Sequence, residues 1–337
     1  MTKNILNLTL NFTVVLGAAL LMNGCTTQPV RIENMANESF HAGINKVSFQ
    51  SEGETLKGNL YLPENYKSGT KLPAIVVTGS WTTVKEQMAG LYAQKLANQG
   101  FAALAFDFRY FGESGGKPRQ YESPKAKIAD IKNAVSYLSS IPAVDSNRIG
   151  GLGICASSGY MAYAVAEDDR LKAYAAIAPW LHNAELVNLI YGGKKGVHEK
   201  IAAAKAAKSE FKKTGKVEYV PAISTTDPHA AMFGDFEYYL SPKRGAIPEW
   251  KNEFAVMSWE GWLTFDAVKI ASSIKVPTLL VHSEQAAIPQ GAKEFYEKLS
   301  AKKKIIWTDG NQFDFYDQAP QVTRASDEVV KHFKDVL

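Results

Sequence analysis

The stretch Gly153-Ile154-Cys155-Ala156-Ser157-Ser158-Gly159 is where this sequence concentrates chemistry. An apolar, Gly-rich run from Arg148 to Gly153 reads as a strand, and a helical pattern begins at Ala156, so Cys155 falls on the turn between them. Small residues two before and two after that position, Gly153 and Ser157, let the backbone reverse sharply against its neighbours. A thiol there lies at a helix N-terminus, whose partial positive charge favours the thiolate. Such a sulfur is a candidate nucleophile. The overlapping register Cys155-x-Ser157-x-Gly159 makes Ser157 the alternative, one helical step later. A buried, inert Cys is the plain structural reading of the same position.

A nucleophile of this kind needs a proton acceptor, and the chain has six histidines: His41, His182, His198, His229, His282 and His332. His182 follows a strand and His229 lies in the middle segment, so both are alternative bases; His282 ends a later strand. For each, a structural or surface role is the competing reading. Zinc-type spacing of His, Cys and carboxylates is absent, as is a phosphate-binding Gly-rich loop, so no metal and no cofactor are expected.

The elements that must carry these residues are legible in order. Residues 44–62 alternate apolar and polar around Gly53 and predict an antiparallel hairpin. Strands follow at 74–78, 101–106, 148–153 and 172–178, with helices at 86–98, 124–139 and 156–166 between and after them. The rhythm stops at Pro179 and resumes with strand 276–282, helix 290–300, strand 304–307 and helix 320–336. Alternation of this type predicts an α/β fold: a mostly parallel sheet of about eight strands, helices on both faces, and a cap inserted after strand six. The expected boundaries are 1–24 for a signal peptide, 25–43 for a tether, 44–180 and 272–337 for the core, and 181–271 for the cap. Within the cap, residues 194–216 hold eight Lys and two Glu around an Ala-rich helix with a stripe of Val197, Ile201, Ala204 and Phe211. Its basic face reads as solvated helix surface. The cap aromatics Tyr238, Tyr239, Trp250, Phe254, Trp259, Trp262 and Phe265 suit either cap core or an apolar acyl group.

Asp107-Phe108-Arg109-Tyr110-Phe111-Gly112-Glu113-Ser114-Gly115-Gly116, Val144-Asp145-Ser146-Asn147-Arg148-Ile149-Gly150, the Cys155 turn and Phe313-Asp314-Phe315-Tyr316-Asp317 together resemble the α/β-hydrolase superfamily. The branch is that of dienelactone hydrolases, X-prolyl dipeptidyl peptidase-like proteins and polyketide-transferase-like hydrolases, and the similarity runs from about residue 44 to the C-terminus. It implies a nucleophile elbow at Cys155 and an oxyanion hole from the backbone N–H groups of Ala156 and Trp81. The His-Gly pair usual before the second donor is here Gly79-Ser80, and Trp81 is equally a packing residue. The triad acid belongs after strand seven, where the usual Asp slot is Ala286 and Glu284 is the only carboxylate on the loop. The His slot is Gln312, which cannot relay a proton; general-base help of about 10²–10⁴-fold is then missing.

Two functions follow. One is a hydrolase of a small ester, lactone, thioester or peptide-like acyl bond through Cys155, with a small-molecule substrate. The other is a catalytically degenerate protein of the same fold that binds without turnover, since fold alone does not establish activity. The start of the chain bears on location. Phe12 to Met22 is an apolar run of eleven residues, too short to span a bilayer but suited to a signal peptide. Asn23-Gly24-Cys25 then resembles a lipobox, which implies acylation of Cys25 and a bacterial cell-envelope lipoprotein held at the membrane. Against a plain secretory signal, that is the expectation. With Cys25 lipidated, Cys155 has no disulfide partner. The balance of 38 Lys and Arg against 34 Asp and Glu points to no nucleic-acid partner, and the oligomeric state is not legible.

Overall fold

Ser51↔Glu54 closes the first hairpin, and the two residues between, Glu52 and Gly53, both have positive φ. That is the geometry whose twist matches paired strands. It joins β1 (Gly43–Ser51) to β2 (Glu54–Leu62), with Val47, Phe49, Leu56 and Leu60 turned inward. The computed structural model of the protein describes residues 39–337. The predicted signal peptide, Cys25 and most of the predicted tether lie outside those residues.

The next four sheet strands are mostly buried, as strands covered on both faces must be. They are β3 (Leu72–Thr78), β4 (Ala102–Phe106), β5 (Val144–Ile154) and β6 (Leu171–Ile177). Interleaved with them are α1 (Met88–Ala97), α2 (Pro124–Ser140) and α3 (Ala156–Glu167). Helix α2 starts as its sequence dictates: Pro124 occupies the first turn and the Ser123 hydroxyl accepts from the Ala126 N–H.

Between β6 and the next sheet strand lie about a hundred residues of different character. They contain α4 (Ala184–Ile190), α5 (Gly193–Thr214), β7 (Tyr219–Val220), β8 (Ile223–Ser224), β9 (Met232–Phe233), α6 (Glu237–Leu240), β10 (Phe254–Ala255) and α7 (Ser258–Thr264). Helix α5 ends on Gly215, whose left-handed backbone sends its N–H to the Phe211 carbonyl. It buries Ala204 and Ala207, with Val197, Ile201 and Phe211 half-buried beside them. The insertion's helices α4, α5 and α7 pack on one another.

The chain then completes the sheet with β11 (Thr278–Ser283), α8 (Pro289–Lys298), β12 (Lys303–Thr308), α9 (Asp314–Asp317) and α10 (Ala319–Val336). The order across the sheet is β1-β2-β4-β3-β5-β6-β11-β12. Strands β1 and β2 are antiparallel, as are β2 and β4, and every later pairing is parallel. Helices α1 and α10 pack together, as do α2 and α3. From β3 the chain moves to β4 on one side and then to β5 on the other. That reversal makes the carboxyl ends of β3 and β5 the crevice where ligands bind in open α/β sheets.

Candidate active site

Strand β5 runs into that crevice and ends at Ile154; Cys155 is the next residue and α3 starts after it. Its backbone takes φ 56° and ψ −121°, a conformation that few L-residues adopt. Three hydrogen bonds hold it there. The Cys155 N–H donates to the Ile177 carbonyl at 3.0 Å, while its carbonyl accepts from Trp180 at 2.9 Å and Ser158 at 3.1 Å. The bend also explains Gly153, where a Cβ would come within 2.6 Å of the Ser158 Cα, a backbone atom that cannot yield.

Cys155 lines a cavity of about 880 Å³ together with Ser80, Trp81, Ala156, Tyr239 and Tyr316. Burial pushes the thiol pKa up. Opposing it, the neighbouring Ser80 and Tyr316 hydroxyls and the backbone N–H groups of Ala156 and Trp81 favour the thiolate. Both backbone N–H groups, one from each side of the crevice, thus act electrostatically on the same sulfur.

The Ser157 side chain is in α3, fully buried, and its hydroxyl donates to the Gly79 carbonyl. It does not line the cavity; it ties the start of α3 to the loop that carries Ser80 and Trp81.

The β11 and β12 loops are built differently. Ala286, in the usual acid slot, is buried and faces the cavity with a methyl group. Glu284 is exposed, paired with Lys293 at 2.8 Å, and is not among the cavity residues. The structure does not bring its carboxylate to Cys155, because two residues along a turn send it to solvent. Gln312 does face the cavity, and its amide is fully engaged. Its oxygen accepts from the Ala287 N–H at 3.0 Å, and its nitrogen donates to the Ala178 carbonyl at 2.9 Å and the Tyr316 hydroxyl at 3.1 Å.

No imidazole replaces it. His182 is buried, with Nδ1 accepting from the Trp180 indole at 2.9 Å and Nε2 at 3.1 Å from the Trp262 carbonyl; burial pushes its pKa down to about 4. His229 is exposed beside the cavity residues Pro228 and Ala230 and does not line the cavity itself. His282 is buried against Trp307 and likewise pushed down to about 4 by burial.

What the sequence reading missed is a chain of hydroxyls. Ser80 Oγ lies 2.8 Å from the Tyr239 hydroxyl and 3.1 Å from that of Tyr316. Burial, and next the neighbouring Cys155, hold the Tyr316 phenol well above its ordinary pKa, so it stays a neutral donor. The available signal was spacing: Tyr316 follows Gln312 by four residues, one helical turn. Of the seven cap aromatics, Tyr239 and Trp262 line the cavity.

Sheet order, the crevice at β3 and β5 and the elbow at Cys155 define a hydrolase of the α/β-hydrolase fold. The model for the X-Pro dipeptidyl-peptidase (S15) family matches residues 52–312, and the chain belongs to that family. It is 30% identical to the uncharacterized protein YcjY of Escherichia coli (strain K12), over 87% of this chain and 99% of that one. The crystal structure of the hypothetical protein PA2218 from Pseudomonas aeruginosa superposes with a TM-score of 0.78 at 28% identity, covering 92% of this chain and 99% of that one. A thiohydrolase of Eupenicillium brefeldianum is 24% identical over 74% of this chain and 79% of its own.

Proposed function

We propose that this hydrolase cleaves an ester, lactone, thioester or related acyl bond through the Cys155 thiol. The observation that carries the reading is the Cys155 thiol on a strained strand-to-helix bend, lining the cavity with the Trp81 and Ala156 amides beside it. In the first step Cys155 Sγ bonds to the acyl carbon while the oxyanion is held by those two amides. The thiol proton leaves through the Tyr316 and Ser80 hydroxyls and ends on the departing alcohol or thiol. Water then attacks the acyl-enzyme; its hydroxyl stays on the acid and its proton returns to sulfur. Without an imidazole, a leaving group that departs readily without strong acid assistance suits the site best, which favours thioesters among these bonds. The thiohydrolase relative is consistent with that order.

Hydrolysis of a short-chain p-nitrophenyl ester and of an alkyl thioester, each compared with Cys155→Ala, tests the reading. The expected result is loss of about 10³-fold or more in kcat/KM and of a Cys155 acyl adduct seen by mass spectrometry. Equal, negligible turnover in both proteins would leave the binding-only function standing in its place.

We further infer that Cys25 is acylated and holds the protein on the bacterial cell envelope, supported by the short apolar run before Asn23-Gly24-Cys25. No helix among the described residues is long and apolar enough to cross a membrane. Radiolabelled palmitate should enter the protein in cells and not its Cys25→Ala variant; equal labelling of both sinks the idea.

A further inference from the structure

We propose that the cap end of the Cys155 cavity is an anion subsite, where the Lys200 ammonium and the Tyr191 hydroxyl hold a carboxylate carried on the acyl group. The proposal rests on the cavity being the acyl site and adds the class of substrate.

The α5 region departs here from the solvated basic face that its composition predicts. Of the eight lysines in residues 194–216, six are exposed and two, Lys200 and Lys208, are half-buried. Lys208 has a counterion, Glu260, at 3.2 Å. Lys200 has no carboxylate within ion-pair distance among the described residues; its ammonium sits 4.5 Å over the Trp259 ring and lines the cavity. A half-desolvated cation with a ring face but no counterion is costly, and burial does push its pKa down.

Tyr191 lines the same end. Its oxygen accepts from the Trp262 indole at 2.7 Å, which leaves its own O–H to be donated, and its ring meets Trp259 edge-on at 5.5 Å. The other charges in the lining are accounted for. Arg244 is neutralised by Asp317 through two contacts, at 2.8 and 2.5 Å, and Asp235 and Glu237 are exposed. The uncompensated half-buried charge is thus positive.

From Lys200 toward Cys155 the wall is aromatic: Tyr191 and Trp262 line it, and Trp262 lies 5.7 Å from Trp81, which lines the cavity beside the sulfur. The ligand this shape fits has an anionic end, an apolar middle and the reactive carbonyl at the other end.

The test uses the Cys155→Ala protein, so that binding is read apart from turnover. It is titrated with 4-phenylbutyrate and with the neutral 4-phenylbutanamide, followed by calorimetry. The acid should bind about tenfold tighter than the amide, the size expected of a charge-assisted contact. Adding Lys200→Met should bring the acid-to-amide ratio to near one, and Lys200→Arg should keep most of it, with circular dichroism confirming the fold of each. Equal affinity for acid and amide before the Lys200 change, or a ratio that Lys200→Met leaves intact, would overturn the subsite. Loss of turnover on removing Cys155 bears on the acyl site alone, so the two failures are separable.

Discussion

On the β3 and β5 side of the cavity floor, the groups to which the proposal gives the attack are gathered at one bend: the Cys155 sulfur, the Ala156 and Trp81 amides, and Ser157 bracing the loop between them. On the β11 and β12 side, the positions that would relay a proton are turned to other work. Ala286 offers a methyl group, Glu284 faces solvent with Lys293, and Gln312 clips Ala178 and Ala287 together. Apart from the Cys155 and Ser157 side chains, the first half is made of backbone amides, which any sequence that folds the bend supplies. The second half is made of particular side chains, and one substitution at each slot removes it. Between the two halves stands Tyr316, which accepts from Gln312 and whose hydroxyl favours the Cys155 thiolate.

The comparison can be broken most directly by removing the sulfur, for which the Cys155→Ala loss is the largest effect expected. Tyr316→Phe comes next. It keeps the ring packing against Tyr238 and Phe313 but removes the hydroxyl between the halves. We expect kcat to fall about 10²-fold with Tm nearly unchanged, the size seen when one such donor is lost. Full activity in Tyr316→Phe would mean that the attacking half works unaided.

The smallest effect is a shift in pH. Burial holds the Cys155 thiol above its ordinary value, so iodoacetamide labelling should climb with pH and reach its midpoint above that of a free thiol. Tyr316→Phe, lacking a bond that favours the thiolate, should move that midpoint further up. A midpoint well below the free-thiol range would show that the helix end and the amides activate the sulfur on their own.

The sheet and the elbow were readable because each depends on neighbours in the chain. Buried parallel strands are apolar throughout, helices announce their caps, and Gly153-x-Cys155-x-Ser157 marks a tight strand-to-helix turn whatever surrounds it. The fate of Glu284 was not readable. It is the only carboxylate on its loop, two residues before the usual acid slot, and the turn's orientation sends it to Lys293. The histidines behaved alike: His182 and His229 were both placed near the site by position, and one is locked between Trp180 and Trp262 while the other is exposed beside the cavity.

By itself, then, the sequence determined the strand order's raw material, the bend at Cys155 and the empty acid and His slots at Ala286 and Gln312, since these follow from local backbone preference and residue type. Tertiary structure alone decided that the Ser80, Tyr239 and Tyr316 hydroxyls form one chain in the cavity of Cys155 and that Lys200 turns inward while its neighbours face water. Those contacts join residues more than a hundred positions apart or depend on which face of a helix the cap covers, and neither is encoded in local spacing.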